Sequence, residues 1–384
     1  MTKIATLTIA LLVAAALSTT VAAAQGPDAQ APTTQSLEEA RRRAREEAER
    51  AREAAERARE AAREVREQEA ELRRARARAN AGRGRDADRG PEFTETFSRT
   101  VRIGSNGTLD LSNLAGDIQI TGGGGDSAVI KAVKQVRRPT EAEARALLQE
   151  IQIVVNERGS LVEVRTEYPR NRRTFNGEVN YTVTLPAGSN VIARSVSGDI
   201  RVNNVRGEVQ ADSVSGDVAA TTIGRLRASR TVSGDLQLTD VEGEDVSAGT
   251  VSGDVVIRNL TARSLDIEAV SGDLRLSDTR SERVNLRTIS GDIDYAGPLA
   301  RSGRYQLQSQ SGNISLTPAG NTGFDLDASS FSGSVRSNVS FRNNATVETP
   351  RRGPQTQTLR GTFGDASAVI TLRTFSGNVE VNRN

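Results

Sequence analysis

The chain has 384 residues with no cysteine, histidine or tryptophan, and its 8 phenylalanines and 4 tyrosines amount to only 3% aromatics. Disulfide frameworks, zinc fingers, iron–sulfur clusters, thiol nucleophiles and histidine-dependent triads are therefore excluded. The 51 basic and 49 acidic residues leave a net charge of +2, so the chain lacks the bulk cationic field that nucleic-acid binding uses.

Residues 1–24 read as a secretory signal peptide: Lys3, an uncharged apolar run from Ile4 to Leu17, then small residues at Ala22 and Ala24. Cleavage is expected after Ala24. An uncleaved signal anchor is the alternative, because residues 4–24 just reach bilayer length. Residues 25–36 form a linker. From 37 to 80 the chain is almost wholly Ala, Glu and Arg, all strong helix formers. Glu precedes Arg by four positions at Glu38/Arg42, Glu46/Arg50, Glu53/Arg57 and Glu69/Arg73, the favourable orientation. The helix so predicted is roughly 60 Å long at 1.5 Å per residue. An alanine seam through Ala48, Ala51, Ala55, Ala58 and Ala62 is compatible with a weak coiled coil and self-association; a solvated spacer is the plainer reading. Residues 81–92 make a Gly/Arg linker. Around its start Arg73, Arg74, Arg76, Arg78, Arg83, Arg85 and Arg89 form a patch that suits contact with an anionic surface or serves as a solubilising hinge.

Beyond residue 93 a repeat governs the chain. Ser-Gly-Asp begins at Ser197, Ser215, Ser233, Ser252, Ser271 and Ser290, and variants follow at Ser311-Gly-Asn, Ser332-Gly-Ser and Ser376-Gly-Asn. Around the first copy, Ile200-x-Val202-x-x-Val205 is followed by Arg-Gly-Glu and then Val209-x-Ala211-x-x-Val214. Period-two alternation marks strands, and the glycine tripeptides mark turns. The unit is therefore a half-coil used twice in each coil of about 19 residues. The turn glycines are Gly198, Gly216, Gly234, Gly253, Gly272 and Gly291. Aligned coils give aliphatic columns headed by Ile200, Val202, Val205, Val209 and Ala211, the last continuing through Ala228, Ala248, Ile267 and Leu286. With Val214, about six aliphatic side chains per coil are expected to point inward. One such coil buries too little to fold alone, so the stack must cooperate. The fold expected is all-β: a parallel β-solenoid with two strands per coil, small capping helix and hairpins, and the long charged helix in front. Residues 93–195 form the N-terminal cap and first coil, 196–335 the regular repeats, and 336–384 the C-terminal cap. A helix is expected over 139–150 with Thr140 as N-cap, then strands near 151–155, 161–166 and 179–185.

The opening coil with Ala115-Gly116-Asp117, the helix insertion, the lead-in Tyr181-Thr-Val-Thr-Leu-Pro186 and the run of Val-Ser-Gly-Asp turns from Val196 to Asp292 resemble the bacterial putative-adhesin domain of unknown function. That resemblance covers roughly residues 93–384 and implies a non-catalytic extracytoplasmic solenoid without catalytic residues or cofactor. The expected role is a structural or interaction module of the cell envelope, located in the periplasm, at the cell surface or outside the cell, with a protein or polysaccharide partner.

Three other readings compete with it. Asp199, Asp217, Asp235, Asp254, Asp273 and Asp292 form a carboxylate ladder that a calcium ion would neutralise. Against this, each turn offers one Asp and one Ser, without the glycine spacing of calcium rolls. A polysaccharide-acting β-helix enzyme needs a carboxylate pair that breaks the repeat, and these carboxylates all repeat one position. A polymer-forming scaffold conflicts with the irregular ends of the repeat.

Overall fold

A computed structural model describes residues 90–169, 177–342, 346–348 and 356–383. The signal peptide, the 37–80 helix and the arginine patch lie outside the described residues. In chain order the strands are β1 (Glu92–Arg102), β2 (Thr108–Ala115), β3 (Ile118–Gly123), β4 (Ser127–Arg137), β5 (Gln152–Arg158), β6 (Leu161–Glu167), β7 (Gly177–Pro186) and β8 (Asn190–Ser197). Then come the bent strands β9 (Ile200–Ser215), β10 (Val218–Ser233), β11 (Leu236–Ser252), β12 (Val255–Ser271) and β13 (Leu274–Ser290). The C-terminal part holds β14 (Ile293–Pro298), β15 (Arg304–Ser311), β16 (Ile314–Ala319), β17 (Phe324–Ser332), β18 (Val335–Ser337), β19 (Thr346–Glu348), β20 (Gln357–Phe363), β21 (Ala368–Ser376) and β22 (Val379–Val381). The helix α1 (Glu141–Glu150) sits between β4 and β5, and the Thr140 side chain accepts from the Glu143 amide.

The predicted parallel β-solenoid is what forms. Strands β9 to β13 each run one full coil and pair in parallel, so Val218 stands beside Leu236, Leu236 beside Val255 and Val255 beside Leu274. The aliphatic columns headed by Ile200, Val202, Val205, Val209 and Ala211 are buried inside the coils of one continuous sheet, since each of β9 to β13 passes the second corner as a single strand where two were expected. Three details differ from the sequence reading. First, Val214 and its equivalents point outward, and the sixth inward position holds a hydroxyl in most coils instead: Ser213, Thr231, Thr250 and Thr288 are buried, with Ala269 in that place in β12. Second, a bulge after Leu226 shifts the alternation, so that Ala211 pairs with Ser229, and Ser229 replaces Ala228 in the core. Third, the second corner is not made by the Arg-Gly-Glu tripeptide. A residue in the left-handed region turns it in every regular coil: Asn204, Thr222, Asp240, Asn259 and Asp278, with φ between 52° and 56°. Asn and Asp tolerate that region because a short polar side chain can bond locally.

Both ends depart from chain order. The coil made of β2 and β3 lies between β6–β7 on one side and β8–β9 on the other. At the C-terminal end β21 inserts between β15 and β17, and β22 between β16 and β18, so the final repeat is an internal coil rather than the end cap. Antiparallel strands then close the stack. β4 pairs with β7 and β1 with β4, β5 pairs with β6, and β20 and β19 follow β17. Such a change of direction ends the row of identical parallel edges that would otherwise extend the stack into a polymer. The scarce aromatics are spent near these ends: Tyr181, Tyr295, Tyr305 and Phe324 are among the largest fully buried side chains.

Candidate functional site

Each Ser-Gly-Asp corner stacks on the next, and the glycine is dictated by that stacking. A Cβ on Gly272 would overlap the carbonyl of Gly253, and one on Gly216 the carbonyl of Gly198. The same close approach recurs at Gly198, Gly234, Gly253 and Gly291. The inward hydroxyls complete the corner: Thr231 Oγ1 donates to the Gly216 carbonyl at 3.0 Å and Thr250 Oγ1 to the Gly234 carbonyl at 3.1 Å. Sequence reasoning missed this column, although Ser or Thr stands two places before the corner serine in most copies.

The aspartates form a continuous ladder. Oδ1 of Asp199 accepts from the Asp217 amide (3.0 Å), Asp217 from Asp235 (2.8 Å), Asp235 from Asp254 (2.8 Å), Asp254 from Asp273 (2.9 Å) and Asp273 from Asp292 (2.9 Å). Asp292 passes the pattern to Asn313 (2.7 Å), and Asn313 passes it to Asn378 (2.9 Å). An amide oxygen thus does the same work as a carboxylate oxygen. Two arginines brace the row from outside: Arg201 lies 2.8 Å from Asp199, and Arg275 lies 2.6 Å from Asp273 and 3.1 Å from Asp254. Among the described residues, no basic side chain lies within salt-bridge distance of Asp217 or Asp235. One oxygen of each carboxylate is committed to the backbone, and among the described residues no group of three or more acidic side chains is arranged to hold a metal ion.

Beside the ladder runs a second column. The residue before each corner tripeptide is Leu114, Val196, Val214, Val232, Val251, Val270, Ile289, Gln310, Phe375 and Phe331 in stacking order, the corner opening on Ala115 in the first and on serine in the rest. Its flanking residues pair coil to coil, Ser195 with Ser213, Ser233 with Ser252, Ser290 with Ser311 and Ser332 with Ser376, so the row is unbroken. Eight of its members are 39–51% exposed. The row ends on Phe331 and Phe375, stacked at 4.5 Å with planes 9° apart.

One polar cluster, around Asn113, is closed upon itself. Asn113 donates to the Val179 carbonyl at 2.8 Å and accepts from Thr166 at 3.0 Å, while Thr166 meets the Tyr181 hydroxyl at 2.6 Å. Burial pushes the Tyr181 hydroxyl up to about 12, so it stays protonated. A shallow depression of about 350 Å³ is lined by Thr108, Asn190, Glu208, Gln210, Arg225 and Arg227. Within it Glu208 pairs with Arg227 at 3.3 Å, and Asn190 Oδ1 accepts from the Glu208 amide at 2.8 Å. Among the described residues no helix is long and apolar enough to cross a membrane.

Several solved structures are similar to this chain. A putative cell adhesion protein from Clostridium sporogenes shares 13% identity over 76% of this chain and 100% of its own, with a TM-score of 0.23. A putative adhesin from Bacteroides fragilis shares 12% identity over 76% and 97%, at a TM-score of 0.38. A putative lipid binding protein from Parabacteroides distasonis shares 10% over 76% and 97%, at 0.40. No curated protein matches the chain. The family model Toastrack DUF4097 matches residues 175–382, more than half of the sequence and nearly all of the regular coils, and the chain belongs to that family.

Proposed function

We propose that this protein is a non-catalytic, exported interaction module of the cell envelope, in which the solenoid presents one face to a protein or polysaccharide. One observation carries the reading: the acidic ladder from Asp199 to Asp292 recurs at a single repeated position and caps backbone amides there. Acid–base catalysis by paired carboxylates needs two positions set apart from such a repeat. The signal-like residues 1–24 support export, and the 37–80 segment supports a spacer that holds the solenoid away from its attachment point. The arginines from Arg73 to Arg89 supply a contact for an anionic surface under this reading.

Cell fractionation of the tagged full-length chain, followed by pull-down from envelope extracts, tests the proposal. The protein is expected in the envelope or the medium, with specific envelope components retained. A cytoplasmic location, or turnover of a polysaccharide that Asp→Asn changes abolish, overturns it.

A further inference from the structure

The exposed apolar row has a length and a spacing that narrow what can cover it. Its ten positions, one per coil, span about 43 Å at the strand separation of ~4.8 Å. An α-helix laid along the row repeats its face every 5.4 Å and drifts out of step by about one coil over that length. An extended strand repeats its face every ~6.6–6.8 Å and loses step sooner. Only another stack of β-strands stays in step with the row at every coil, and a second copy of this chain offers an identical row, apolar at nine of its ten positions with Gln310 at the other.

We propose that this row is a self-association surface through which two copies of the chain pair side by side, with their coils parallel and in register. Charge selects the orientation. An antiparallel pair would set the aspartate ladder of one copy against the same ladder of the other. A two-fold axis along the stack instead sets each ladder opposite the outward column on the far side of the row. That column carries Arg194, Arg230, Arg287 and Arg373 against the two acids Asp212 and Glu268. The exposed row amounts to roughly 500 Å² per copy, at the upper end of apolar patches left on monomers. Two rows together bury on the order of 1,000 Å², the lower end of specific interfaces. The association is therefore weak and reversible.

The absence of native cysteine makes the geometry directly testable in the full-length chain. In a parallel pair every residue of the row faces its own copy. Val232→Cys and Val196→Cys chains, singly and under mild oxidation, are each expected to form disulfide-linked dimers. Gln237→Cys, an exposed position outside the row in the column of Arg201 and Arg275, is expected to remain monomeric. In sedimentation equilibrium the double variant Val214→Thr/Val232→Thr, whose β-branched shape preserves the strands, is expected to weaken dimerisation at least tenfold while leaving circular dichroism unchanged. Cross-linking of Val232→Cys to Ile289→Cys but not to itself would overturn the parallel arrangement. Self-association that the threonine variant leaves unchanged, equal cross-linking at Gln237, or a chain monomeric at millimolar concentration would overturn the proposal and leave the row to another class of partner.

Discussion

Asp235 separates the capping role of the ladder from any role of its charge. Its Oδ1 accepts the Asp254 amide at 2.8 Å, its own amide is capped by Asp217, and no basic side chain among the described residues reaches it. Replacement by Ala leaves the Asp254 amide without its carboxylate partner, and a hydrogen bond to a charged group contributes about 1.5–3 kcal/mol. Partial access of water at this half-buried corner favours the lower figure. Asp235→Asn keeps the acceptor and removes repulsion from Asp217 and Asp254 one coil away on either side, about 1 kcal/mol per pair in water at such distances. The expected result is that Asp235→Ala, which sheds the same repulsion but keeps no acceptor, is about 1.5 kcal/mol less stable than Asp235→Asn, a melting temperature lower by roughly 3 °C in a domain of this size. The Asn variant is expected to match the wild type or exceed it by up to about 1 kcal/mol. Urea unfolding and thermal melts, each with and without calcium, measure both. An Asn variant as damaged as the Ala variant, or a calcium-dependent rise in wild-type stability that Asn abolishes, would show that the negative charge is what the position supplies and would refute the capping argument.

Three further outcomes follow from single positions. Ser229 is fully buried and its hydroxyl has no hydrogen-bond partner among the described residues, so Ser229→Ala should stabilise the fold by about 1 kcal/mol, measured by urea unfolding; no change would mean that water or a neighbour satisfies the hydroxyl. Thr222 is the β-branched residue among the left-handed corner positions, at φ 55°, whereas Asn204 and Asn259 do the same work without that steric cost. Thr222→Asn should raise stability by about 0.5–1 kcal/mol, and a loss in the thermal melt would count against the strain. Asp294 has its carboxyl raised above the ordinary range, first by burial and then by Asp292 and Asp273, against the lowering effect of Arg275. A raised folded pKa means the folded state binds the proton more tightly, so this contribution is present at acid pH and is lost as pH rises through the folded value. Asp294→Asn should therefore stabilise the protein at pH 7, with the gain disappearing as pH falls below the ordinary Asp value of about 3.9. An equal gain at pH 3 and pH 7 would exclude the ionisation as its cause.

The regular coils were legible because one rule repeats. Period-two aliphatics between glycine corners admit one stacked arrangement, and Ile200, Val202, Val205, Val209 and Ala211 are buried as that rule predicts. The helix capped by Thr140 was legible for the same local reason. Ala228 was misplaced because a bulge reverses the alternation for a few residues, and nothing in the string Leu226-Arg-Ala-Ser229 marks where the extra residue falls. Val214 was assigned to the core because it continues the aliphatic spacing. The backbone at the corner turns it outward, and the small hydroxyl of Ser213 takes the inner place beside the Gly198 carbonyl.

The sequence by itself determined the repeat, the parallel stacking and the lack of the side chains that most chemistry requires, because these depend on residue type and short-range period. Only the tertiary structure decided that the last repeat returns between β15 and β17, that β2 and β3 sit inside the first coils, and that each aspartate caps the next coil's amide. Those outcomes are contacts between residues 18 to 82 positions apart, and which strand fills which gap depends on the edges left unpaired by the rest of the stack. The exposed row belongs to the same class. Its residues, half of them valines, are ordinary one at a time, and they become a continuous surface when the coils stand in register.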